Sequence, residues 1–143
     1  MPTKTALIAG GFVLALVVAA CGDGGAPGTI DEPRTIEITA LDELAYDPAS
    51  IEVEPGETVR FVITNEGEVE HEFVVGDMEM QQMAEERAME GMHGHAEAMA
   101  SAALDPGETA ETILTFDEPG ELLYACHVTG HYEGGMVGNI VVS

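Results

Sequence analysis

The sequence predicts an all-β sandwich carrying one helical insertion. Three observations lead there. The chain has 143 residues, enough for one domain with one core. Short segments of alternating apolar and polar residues recur between turns rich in Gly and Pro. Residues 77–104 break that rhythm with a run of good helix formers.

Residues 1–20 precede the domain. Lys4 supplies a positive start, and Ala6 to Ala20 is an apolar run closed by the small residues Val18-Ala19-Ala20 before Cys21. This is the pattern of a secretory signal peptide; a short anchor helix is the alternative, but the run is too short to span a bilayer. Val-Ala-Ala-Cys resembles the lipobox of bacterial lipoproteins. That resemblance implies cleavage before Cys21, acylation of Cys21, and a protein held outside the cytoplasm on a membrane, in the periplasm or on the outer face. Residues 21–33 then form the lipidated N-terminus and a flexible Gly/Pro-rich tether. The folded domain spans 34–143.

Within it, Thr35 to Leu41, Ile51 to Glu54, Thr58 to Thr64 and Val69 to Val75 read as strands. The turns between them are marked by Pro55-Gly56-Glu57 and Asn65-Glu66-Gly67-Glu68. Asp105-Pro106-Gly107 leads into Thr109 to Phe116, Glu118-Pro119-Gly120 into Glu121 to Cys126, and Val137 to Val142 closes the chain. Two sheets of such strands bury their apolar faces against each other. The insertion reads as two short helices, 77–90 and the Ala-rich 96–104, with Gly91 and Gly94 between them, or as a partly ordered loop.

Charge excludes whole classes of function. There are 27 acidic residues against 4 basic ones, a formal net charge of -23. Beyond Lys4 the only basic side chains are Arg34, Arg60 and Arg87. Nucleic acid, which needs a basic footprint, is excluded. Binding to anionic lipid by charge is disfavoured, so membrane attachment rests on the lipid anchor alone. The acidic surface either steers a partner with a basic docking face or reflects adaptation to salt.

Cys126, His131 and Met136 stand at Cys-x4-His-x4-Met in one loop, and His71 lies on an upstream strand. Two imidazoles, one thiolate and a weak axial thioether form the ligand set of a blue-copper site. Thiolate suits cuprous copper, imidazole suits both oxidation states, and a long thioether bond tunes the potential. Zinc can enter such a site adventitiously, but a structural zinc site has no use for methionine. If Cys21 is acylated, Cys126 is a lone thiol in an oxidising compartment, and metal ligation protects it.

The stretch from Tyr124-Ala125-Cys126 through Gly130-His131 to Gly135-Met136-Val137-Gly138 resembles the C-terminal copper loop of the cupredoxins. Tyr46 to Val59 is similar to the second and third strands of plastocyanin-like and azurin-like members, and His71-Glu72-Phe73 to their first-histidine motif. The resemblance covers roughly residues 35–76 and 105–142. It implies a Greek-key β-sandwich, one mononuclear type 1 copper, one-electron transfer, and His131 as the surface-facing electron port.

The expected function is that of an extracytoplasmic, monomeric electron carrier serving a redox protein partner, and not an enzyme. A catalytic copper centre would need more histidines than His93, His95 and His127, which remain after the ligands. The insertion supports a second reading, copper buffering, delivery or tolerance. Met78, Met80, Met83, Met89, Met92 and Met99 offer thioethers for cuprous ions, and His93 and His95 imidazoles for cupric ones. The alternative is that these methionines are packing faces of helices. His127 is expected to face solvent beside the site, or to give electrons a second route through the backbone of Cys126.

Overall fold

The structure, a computed structural model, describes residues 26–92 and 97–143. Two sheets face each other. The first contains β1 (Arg34–Leu41), β2 (Ala45–Asp47), β4 (Glu57–Asn65) and β7 (Thr109–Phe116), in the order β2-β1-β4-β7. The second contains β3 (Ser50–Val53), β5 (His71–Gly76), β6 (Ala100–Leu104), β8 (Gly120–Ala125) and β9 (Val137–Val142), in the order β3-β9-β8-β5-β6. β1 runs parallel to β4 and β3 parallel to β9; the remaining pairs are antiparallel.

Period-two alternation decides which side chains enter the core. On β4, Val59, Phe61 and Ile63 are fully buried while Arg60, Val62 and Thr64 lie between them half-buried. Four rings from both sheets meet in the middle. Phe61 and Phe73 have centroids 5.4 Å apart, Phe73 and Tyr124 5.4 Å, and Tyr46 and Tyr124 5.2 Å. Each buried ring stabilises the sandwich by about 2–3 kcal/mol, with up to about 1 kcal/mol more from each ring pair. Phe73 lies two residues after His71, and Tyr124 two before Cys126. The aromatic core and the candidate ligands therefore share the inner faces of β5 and β8.

All six residues of β5 are buried. Its outer face is covered by helix α1 (Met78–Met89), where Met80 and Ala84 pack on Val74. Asp77 caps the helix, its side chain accepting from the Met80 amide at 2.8 Å.

Three expectations need correction. The second half of the insertion is not helical: Ala100–Leu104 is strand β6, paired antiparallel with β5 from His71↔Leu104 to Val75↔Ala100. Alanine's helix preference is weak, and the open hydrogen-bonding edge of β5 outweighs it. Ala100 and Leu104 point inward and Ser101 and Ala103 outward, an alternation masked by the uniform small residues. The flexible tether does not reach residue 33. Gly28 is buried, donating to Glu57 Oε1 at 3.3 Å and accepting from the Thr58 amide at 2.9 Å. A Cβ at Gly28 would sit 2.0 Å from the Thr58 carbonyl oxygen, so only glycine fits that approach. Finally, β2 was not among the strands read from alternation, being too short to show a period, although it falls at the start of the stretch similar to the family's second and third strands. The signal peptide and Cys21 lie outside the described residues, as do His93 and His95.

Candidate metal centre

His71 opens β5 with its ring completely buried. Its Nε2 lies 3.2 Å from Asp42 Oδ1, in the turn after β1. Asp42 also accepts from the Glu68 amide at 2.8 Å. That amide, followed by His71, holds the Asp42 carboxyl below its ordinary range, against the opposing effect of burial. Because a carboxylate accepts, Nε2 carries the proton and Nδ1 presents a bare lone pair. A Cβ at Gly67 would fall 2.0 Å from Asp42 Oδ1 and 3.1 Å from His71 Nε2, so glycine keeps this contact open.

His71 Nδ1 is the one buried side-chain nitrogen or oxygen without a hydrogen-bond partner among the described residues. Such an orphan costs roughly 1–3 kcal/mol unless something outside the chain satisfies it. The neighbouring groups indicate what that is. His71, Cys126 and His131 each offer a ligand atom, all within 4.8 Å of one another. Copper suits this donor set of two imidazoles and a thiolate.

Cys126 follows β8 and is fully buried. Its Sγ accepts from the Glu72 amide at 3.2 Å and lies 3.3 Å from His131 Nδ1. Burial pushes the free thiol up to about 11, although the Glu72 and Val128 amides pull the other way. Without metal the group is a protonated thiol at neutral pH, and metal binding displaces its proton. Burial, and then the neighbouring His71, hold the His131 imidazole below its ordinary range, which keeps it neutral and able to coordinate. The His71 and His131 rings lie 5.0 Å apart. Of the three groups, His131 alone is half-exposed.

The loop after Cys126 is held by its own backbone. The His131 amide donates to the Val128 carbonyl at 2.8 Å, Met136 to His131 at 3.0 Å, and Cys126 to Met136 at 3.2 Å. Gly130 at φ 84° and Gly135 at φ 96° take left-handed turns that other residues resist. Met136 is completely buried in the same cluster as Cys126, with its backbone bonded to both Cys126 and His131.

The second set of methionines is not treated alike by the fold. Met78, Met83, Met89, Met92 and Met99 are exposed, whereas Met80 packs in the apolar cluster under α1. His127 is not solvent-facing as expected. It is buried, with Nδ1 2.8 Å from Glu85 Oε2, Nε2 2.8 Å from Gln81 Oε1, and its ring stacked on Tyr132. Sequence reasoning missed Asp42, Gln81 and Glu85. Gln81 did leave a signal, as a polar residue on the helix face shared by Met80 and Ala84.

Residues 35–143 match the family of copper-binding proteins described as plastocyanin/azurin. The copper-resistant cuproprotein CopI of Rubrivivax gelatinosus is 42% identical over 122 residues, covering 82% of this chain and 72% of that protein. Auracyanin-A of Chloroflexus aurantiacus is 32% identical, covering 91% of each. The solved structure of auracyanin A, described as a "blue" copper protein from that green thermophilic photosynthetic bacterium, superposes with a TM-score of 0.68 at 28% identity, over 78% of this chain and 99% of that one. The chain belongs to the plastocyanin/azurin family of copper-binding proteins. Its fold is the cupredoxin sandwich and its cofactor is copper.

Proposed function

We propose that this domain carries single electrons, with His71, Cys126, His131 and Met136 as the ligands of one type 1 copper. The observation that carries the reading is the buried, unpartnered Nδ1 of His71 beside the Cys126 thiol and the His131 ring. When bound, copper supplies a one-electron couple between its cuprous and cupric states. The chain's part is to keep the ligands still. His71 is fixed by Asp42, Cys126 by the Glu72 amide, and the loop by its internal hydrogen bonds. Half-exposed His131 is the electron port to a redox protein partner with a basic docking surface. On this reading the protein is a monomer, not an enzyme, and works outside the cytoplasm, lipid-anchored through Cys21.

A second reading, copper buffering or tolerance, has its own support: the five exposed methionines and the CopI relative's description as a copper-resistant cuproprotein. Replacing Met78, Met83, Met89, Met92 and Met99 together with alanine separates the two. The electron-carrier reading expects one copper per chain before and after. Several cuprous ions per chain, falling to one in the variant, would favour copper handling. A redox titration completes the test: reversible one-electron cycling is expected, and its absence would remove the carrier reading.

A further inference from the structure

Helix α1 reaches the copper loop through two polar side chains, Gln81 and Glu85, one helical turn apart. Gln81 is wholly buried. Its Nε2 donates to the carbonyls of Val74 in β5, at 2.8 Å, and Leu123 in β8, at 3.1 Å. Both partners are acceptors, which fixes the amide's orientation. Its Oε1 therefore faces His127, whose Nε2 donates to it at 2.8 Å. The other ring nitrogen is 2.8 Å from Glu85 Oε2, on a side chain 13% exposed. Tyr132 stacks on the ring with centroids 5.0 Å apart and planes inclined by 25°. His127 is thus held on both nitrogens by the insertion and on one face by the loop.

His127 is also the residue directly after Cys126. The Cys126 backbone is tied to Met136 on its amide side and, through His127, to α1 on its carbonyl side. A thiolate's direction follows from the backbone that bears it. We propose that Gln81 and Glu85 are positioning residues of the copper centre, which fix the Cys126–His127 segment through His127 and make helix α1 part of the redox site. The proposal rests on Cys126 being the thiolate ligand. It gives the insertion a role that needs no second metal. A satisfied buried network can also serve stability alone, so the test must divide the two roles.

Four variants of the copper-loaded protein do so: Gln81→Met, Glu85→Ala, the conservative Glu85→Gln, and Gln82→Ala on the exposed outer face of α1. The readouts are copper per chain, the thiolate-to-copper visible band, the cupric EPR spectrum and the midpoint potential. Amide exchange at residues 126–132 is also followed in copper-free protein. Gln81→Met and Glu85→Ala should keep one copper per chain but shift band, EPR and potential, with about tenfold faster exchange at 126–132 from the one hydrogen bond to His127 that each removes. Glu85→Gln should restore the native values, and Gln82→Ala should leave them unchanged. Lower thermal stability with native spectra, potential and exchange would overturn the proposal and leave the network a scaffold. If Gln81→Met does not fold, Glu85→Ala, whose side chain reaches the surface, decides alone. A visible band that survives Cys126→Ser would instead overturn the ligand assignment beneath it.

Discussion

On the proposed ligand set the two nitrogens of His71 do different work: Nε2 donates to Asp42, and the unpartnered Nδ1 takes the metal. Removing the first should loosen the second. Asp42→Ala is expected to keep the fold but weaken copper affinity roughly 10–100-fold, the usual cost of losing a carboxylate behind a ligand histidine. A competition titration against a chelator measures it; unchanged affinity would mean that the turn positions nothing. Residues of this kind mark where sequence reading stops. Cys126, His131 and Met136 were legible because one loop carries all three at fixed spacing. His71 was legible through the donor set the loop called for and the likeness of His71-Glu72-Phe73 to a first-histidine motif, not through its strand, all six residues of which are buried. Asp42 was not, because its approach depends on how the turn after β1 folds over Gly67. His127 was misjudged because its partners, Gln81 and Glu85, lie more than forty residues away in the chain.

Among the elements, strands with strong alternation were legible and Ala100–Leu104 was not. Its identity comes from pairing with β5, a long-range contact that local propensity does not encode. The N-terminal segment is a similar case. Glu57, buried at the start of β4, accepts from the Gly28 amide at 3.3 Å and the Glu54 amide at 2.8 Å, and pairs with Arg34. Burial alone would raise its carboxyl; Arg34, with the Glu54 and Gly28 amides, more than compensates and leaves it below the ordinary value. A carboxyl with a depressed folded pKa stabilises the protein above its unfolded pKa, and the contribution disappears as pH falls through the folded value. Stability should therefore decline from about pH 4.5 downward. Glu57→Gln should cost about 1–3 kcal/mol at neutral pH and flatten that decline. Urea melts across the acid range check both; equal slopes in variant and native protein would dismiss the role given to Glu57.

For the whole molecule, the two sheets set the aromatic core and the ligands on shared inner faces, so the centre is largely assembled before metal arrives. Metal that binds the native state and not the unfolded chain must stabilise the fold. Copper at a hundred times its dissociation constant contributes about 2.7 kcal/mol, a rise of roughly 10 °C in melting temperature for a domain of this size. Scanning calorimetry with and without copper tests it, and a melting temperature indifferent to copper would mean that copper does not bind the native state in preference to the unfolded chain. The proposed electron carrier depends on one thiolate meeting two imidazoles, the groups that the sandwich brings within 4.8 Å of one another. A copper titration of native protein and Cys126→Ser, followed by visible spectra, measures that most directly. The native chain should take up one copper per chain with an intense thiolate-to-copper band, and Cys126→Ser should show none. An undiminished band in Cys126→Ser, or native protein that binds copper without any such band, would contradict the account.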